Sequence, residues 1–395
     1  MLLNVNKNSM SSTRRQWLID TGRTVGVGAG GFPGLVSQNV FAAGPLAGKP
    51  IILGQSVPLT GAASEIGLAF AAGAKLYVDA YNARPENVRP LELRQLDDGY
   101  DAARAGANAK KLLADGADLL FGFVGTASST AGANVARQER AVMLAPFAAA
   151  DVLRDGSYPL VFHVRPSMAD EAFKMVRHCI TIGQTRIAVM AEDNDMGRAG
   201  LAAVNSAIAE LKLPPLVGTA LVPSNSDKVD AAVASLNALK PQAIIQVSLF
   251  NTTAAFIRKM RQAGYTGMFL NFAVVGIDPL FTALGKDISG VVVSQVVPSP
   301  RSKAQPVVRE YLAAIENSDQ TATYESFEGF IAAKVLGEAV RRTGSNFSRA
   351  GLQRALGTMT DYDAGGFRLH LRAGVRESGW AIDLVSVTAD GRLIR

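Results

Sequence analysis

Ile51-Ile52-Leu53-Gly54-Gln55-Ser56, then Pro58-Leu59-Thr60-Gly61, then an amphipathic run from Glu65 to Asn82: these three pieces in this order decide the fold. A short continuous apolar run closed by a turn reads as a strand buried on both faces, and the long periodic run after it as the helix that covers it. The alternation continues. Leu91 to Leu96 reads as a strand ending at Asp97-Asp98-Gly99, Ala102 to Asp115 as a helix, Leu119 to Phe123 as a strand, Ser129 to Arg140 as a helix and Val142 to Ala145 as a strand. This is the pattern of a doubly wound α/β lobe.

After Val161-Phe162-His163-Val164-Arg165-Pro166 the pattern restarts. Helices are expected over 170–182, 197–211, 229–239 and 252–263, and strands over 186–191, 216–221, 243–247 and 268–270, which makes a second α/β lobe. Val291 to Val297 leads into Pro298-Ser299-Pro300, and beyond it Pro306 to Glu316 and Glu325 to Thr343 read as helices with no strand between them. Helices added after a completed lobe imply that the chain crosses back to the first one.

The N-terminus carries Ser12-Thr13-Arg14-Arg15-Gln16-Trp17-Leu18, an uncharged stretch from Thr24 to Ala43, and small residues in Val40-Phe41-Ala42-Ala43. It resembles a twin-arginine export signal spanning residues 1–43, which implies a periplasmic mature protein. The plainer alternatives are an N-terminal tail or a short membrane anchor. Gly26-x-Gly28-x-x-Gly31 falls inside this segment with no strand before it and no helix after it, so it is not read as a dinucleotide site.

The chain has 40 basic and 34 acidic residues, and three of its six net positive charges lie in the N-terminal segment. The remaining Lys and Arg are scattered among acids without interleaved aromatics, which argues against a nucleic-acid surface. No later segment has the roughly 18 to 20 apolar residues of a spanning helix. Cys179 is the only cysteine, which excludes an intramolecular disulfide and a cysteine zinc site, and its helical spacing makes it a buried apolar residue. His163, His178 and His370 show no two-histidine metal spacing. No Gly-x-Ser-x-Gly elbow, His-Glu-x-x-His helix or phosphate loop occurs, and Asp97 and Asp98 point to opposite faces of an extended segment. Neither catalysis nor a cofactor nor a bound metal is expected.

The Pro58-Leu59-Thr60-Gly61 turn, Leu96-Asp97-Asp98, Phe121-Gly122 with Thr126-Ala127-Ser128-Ser129-Thr130, Ala145-Pro146, and the late Tyr324-Glu325-Ser326-Phe327-Glu328-Gly329-Phe330 occur in order. Together they resemble leucine/isoleucine/valine-type periplasmic solute-binding proteins, from about Ile51 to Leu384. The resemblance implies two Rossmann-like lobes joined by three crossovers, the type I periplasmic-binding fold. Lobe 1 is expected at residues 44–166 and 298–362, and lobe 2 at residues 167–297 and 363–395. It also implies a monomer that captures a small solute in the cleft and delivers it to ABC permease subunits. A ligand sensor of the same fold, acting on a separate partner, is the alternative.

By position, the resemblance implies that Thr126, with Ala127 beside it, hydrogen-bonds a ligand carboxylate. Phe147, Ala148 and Ala149 match the loop that offers backbone groups to the same head group. Met196 stands where an aromatic residue covers the ligand, with Leu249 or Phe250 at another such place. Ala273 stands where amino-acid binders present an acid to the ligand's ammonium group, and Glu192, Asp193, Asp195 or Asp278 are the candidate replacements. A buried ammonium without a counter-charge is costly. The expected ligand is therefore a carboxylate with an apolar or aromatic body.

Overall fold

A computed structural model describes residues 48–395 apart from 88, 376–380, 391 and 395. The export signal read over residues 1–43 lies outside the described residues. The first sheet is built from β1 (Ile51–Val57), β2 (Leu91–Asp97), β3 (Leu119–Phe121), β4 (Met143–Leu144) and β5 (Val161–Phe162). Its five strands are all parallel, in the order β2-β1-β3-β4-β5. The crossovers are α1 (Ser64–Asn82), α2 (Ala102–Ala114) and α3 (Thr126–Gln138). Leu53, Leu119, Leu120, Phe121 and Leu144 are fully buried, as expected for strands covered on both faces.

The second lobe runs through α4 (Met168–Thr181), β6 (Ile187–Glu192), α5 (Asp195–Glu210), β7 (Gly218–Val222), α6 (Asp230–Ala238), β8 (Ala243–Val247), α7 (Phe250–Gln262), β9 (Met268–Asn271), α8 (Ile277–Leu284) and β10 (Val291–Gln295). Then come α9 (Pro306–Glu316), α10 (Tyr324–Thr343), α11 (Arg349–Gly357), a hairpin of β11 (Tyr362–Asp363) and β12 (Arg368–Leu369), and finally β13 (Asp383–Val387) and β14 (Leu393–Ile394). The second sheet has seven strands in the order β14-β13-β10-β9-β8-β6-β7. Its last two strands are antiparallel additions that the sequence reading did not contain.

The late helices return to the first lobe, and two glycines show how closely. A Cβ on Gly73 would sit 1.7 Å from the Ser326 carbonyl oxygen, and one on Gly329 would sit 2.0 Å from that of Phe70. Backbone therefore packs on backbone between α1 and α10, a contact that no side chain could enter. Glu310 on α9 ties the group together, pairing with Arg84 after α1 at 2.7 Å and with Lys334 on α10. The β11–β12 hairpin also lies beside α9, where the Val307 amide donates to the Gly365 carbonyl. The chain thus passes between the sheets after β5, after β10 and again after the hairpin, so the third passage comes later than the position 363 read from the sequence.

Cys179 is buried on α4, and burial pushes its thiol up to about 12, so it is packing material and not a nucleophile. Asp97 and Asp98 are structural. Asp97 accepts from the Leu59, Thr60 and Gly99 amides and the Thr60 hydroxyl, which holds its carboxyl down at about 2. Asp98 accepts from the Ser56 hydroxyl and the Tyr100 amide, while burial pushes its carboxyl up.

Candidate solute-binding cleft

The site begins with α3, whose N-cap is Gly125 at φ 94°, in the region open to glycine. Glycine gives no capping side chain, so the first amides of the helix keep no internal acceptor. Beside them Thr126 is buried, and its hydroxyl has no hydrogen-bond partner among the described residues. The loop after β4 runs next to this helix end. The Phe147 amide donates to Phe123, its carbonyl accepts from Gly125, and the Ala149 carbonyl accepts from Met168. The Ala148 and Ala149 amides have no acceptor among the described residues.

These groups line a cavity of about 320 Å³, part of it open to solvent, between strand ends of both lobes. Lobe 1 contributes Thr126, Phe147, Ala148 and Ala149 among others, and lobe 2 contributes Met168, Met196, Leu249 and Val274. Three residues named from the sequence stand off this wall. Ala127 is the next position along α3 and does not line the cavity. Phe250 is buried as the first residue of α7, whereas the N-cap Leu249 reaches the cavity. Ala273 starts the short turn from which Val274 takes the place in the wall, and its amide donates to Glu171 at 2.8 Å.

Tyr100 is one of the wall residues that the sequence reading missed, with Ile66, Met168 and Val274 among the others. It follows the Asp97-Asp98-Gly99 turn at φ 66°, a conformation that is an outlier for a bulky residue. Its ring lies over Gly125, where an added Cβ would be 2.4 Å from a ring carbon. Burial pushes the phenol up, and the Glu192 charge across the cleft pushes it further.

No carboxylate lines the cavity among the described residues. Glu192 is fully buried at the end of β6 and accepts from the Asn194 side chain at 2.8 Å, Ser224 at 3.0 Å, and the Asn225 and Leu249 amides at 3.1 and 3.3 Å. Four donors match the roughly four lone-pair sites of a carboxylate, so it has none left for a ligand. Asp193 and Asp195 are exposed and both pair with Arg198. Asp278 pairs with Arg301 at 3.0 Å.

Behind the cavity, Arg165 sits on the first interlobe passage with none of its surface exposed. Its guanidinium stacks on the Phe147 ring at 4.3 Å. It stands 3.9 Å from Glu171 of lobe 2 and 3.5 Å from Glu328 of α10, and none of its nitrogens makes a hydrogen bond among the described residues.

Unpaired amides and a hydroxyl on one side and apolar side chains on both describe a cleft of the kind that takes a small solute, in a two-lobed α/β fold. The chain belongs to the periplasmic binding protein family, whose profile matches residues 50–389. It is 24% identical to the Leu/Ile/Val-binding protein homolog 8 of Brucella abortus (strain 2308), over 77% of this chain and 79% of that protein. The structure is similar to that of a possible leucine/isoleucine/valine-binding protein from Rhodopirellula baltica SH 1, with TM-score 0.82, 27% identity, and coverage of 89% of this chain and 98% of that one. It is also similar to a substrate-binding periplasmic protein from Ralstonia solanacearum, with TM-score 0.80, 30% identity, and coverage of 87% and 99%.

Proposed function

We propose that this protein is the exported substrate-binding component of an ABC importer, and that its solute is a small carboxylate with an apolar or aromatic body and no ammonium group. One observation carries the reading: the cavity offers donors at the α3 N-terminus and apolar surface elsewhere, with no acid in its wall. An anion is favoured at a helix N-terminus, where free amides and the helix dipole act together. Ligand contacts made by both lobes exist only when the cleft is closed, and this difference in affinity shifts the population towards the closed form that a permease would recognise.

A thermal-shift screen of aromatic, branched aliphatic and dicarboxylic acids against amino acids tests the class, since a ligand that binds only the folded state stabilises it saturably. The Thr126→Val variant keeps the volume and loses the hydroxyl. It is expected to bind the best acid more weakly by about 1 to 3 kcal/mol with little change in fold stability. Unchanged affinity in calorimetry would reduce Thr126 to packing.

Export is the second part of the proposal. Replacing Arg14 and Arg15 with Lys is expected to leave uncleaved precursor in the cytoplasm, read by fractionation and immunoblot. Normal processing of that double variant would remove the twin-arginine route.

A further inference from the structure

We propose that Tyr100 is a specificity-determining residue whose hydroxyl donates to the carboxylate of the bound solute. This rests on the carboxylate reading of the cleft. The ring cannot easily turn elsewhere: Asp98 holds the Tyr100 amide at 2.9 Å, the left-handed backbone fixes the exit direction, and Gly125 leaves room for the ring to lie over the start of α3. The phenol is thereby fixed beside the unpaired amides of that helix. Its hydroxyl has no hydrogen-bond partner among the described residues, although the ring lines the cavity. The nearby carboxylate that could have taken it, Glu192, is already occupied by four donors of its own lobe. Tyr100 is only partly buried, so in the empty cleft its hydroxyl is open to water, and a ligand oxygen at the α3 end of the cavity would take that water's place. The strained turn at Tyr100 is thus explained by what it aims into the cleft.

The test is calorimetry on the full mature chain and its Tyr100→Phe variant with benzoate, 4-methylpentanoate and leucine. All three carry a carboxylate, so loss on removing the hydroxyl is expected for whichever binds, independently of the order among them. The expected result is a dissociation constant raised about tenfold or more in Tyr100→Phe, with the unfolding temperature of the ligand-free protein unchanged because the hydroxyl bonds nothing in the fold. Affinity within twofold of the wild type overturns the role of Tyr100 and leaves the carboxylate reading standing. A Tyr100→Phe variant that does not fold also overturns it, since the hydroxyl would then serve the protein. Preference of the wild type for leucine, together with a loss in Tyr100→Phe, overturns the ligand class and leaves Tyr100 in place. No saturable binding of any of the three overturns both.

Discussion

Replacing Arg165 with Met is expected to destabilise the protein by about 3 to 5 kcal/mol at pH 8, the usual consequence of removing one partner from a buried ionic group. Arg165 is fully buried and is the cation nearest two buried carboxylates, Glu171 and Glu328, which belong to different lobes. Methionine keeps much of the volume against Phe147 and isolates the charge effect.

The loss should shrink as pH falls. Burial pushes the Glu171 carboxyl up and raises Glu325 and Glu328 to about 7, from an ordinary 4.5. Asp278 and Glu328 add to the rise at Glu325, whereas Arg165 and Arg154 oppose it at Glu328. His163, also fully buried nearby, is held well below its ordinary value and stays neutral. Between about 4.5 and 7 the native state holds protons on Glu325 and Glu328 that the unfolded chain has released. Their stabilising contribution is full below about 4.5 and is lost as pH rises through about 7, a change on the order of a few kcal/mol. Denaturant unfolding from pH 5 to 8 should show stability falling with pH in the wild type. The fall should be smaller in Glu328→Gln, and the Arg165→Met penalty smaller at pH 5 than at pH 8. An Arg165→Met protein as stable as the wild type at pH 8 would show that the cluster carries no net stabilisation.

The order of elements in both lobes was legible because strands buried on both faces read as continuous apolar runs, as at Ile51–Val57 and Ala243–Val247. The strands Asp383–Val387 and Leu393–Ile394 were not, since little of their surface is buried and the first pairs with Val291–Gln295, which is distant in sequence. The short helix Arg349–Gly357 was missed too; it carries only Leu352, Ala355 and Leu356 as buried residues. At the cleft, positions fixed by the α3 start and the loop after β4 were readable. Of the pair Leu249 or Phe250, the cap residue Leu249 is the one at the cavity, and Val274 stands there in place of Ala273, because a turn or cap decides which neighbour faces inward. Tyr100 left no local signal. Its place depends on a positive φ and on the approach of Gly125, which is 25 residues downstream and becomes a neighbour only in the folded lobe.

The absence of an acid from the described cavity wall has a second large consequence. Glu192 is filled by its own lobe, Asp193 and Asp195 pair with Arg198 in solvent, and Asp278 pairs with Arg301. Glu171 is the acid closest to Ala273, yet it accepts from the Ala273 amide and the Ser294 hydroxyl and faces Arg165 behind the wall. An α-amino acid entering this cleft would bury its ammonium without a counter-charge, at a cost of several kcal/mol unless the group finds water. Its des-amino analogue has the same carboxylate for the α3 amides and the same side chain for Met196, Leu249 and Val274, without that cost.

The most direct measurement is therefore titration calorimetry on matched pairs: leucine against 4-methylpentanoate, valine against 3-methylbutanoate, and phenylalanine against 3-phenylpropanoate. The expected result is tighter binding of the des-amino acid in the best pair by about a hundredfold, equivalent to roughly 2.7 kcal/mol. A clear preference for the amino acids would contradict the account and require an acid to reach the cleft.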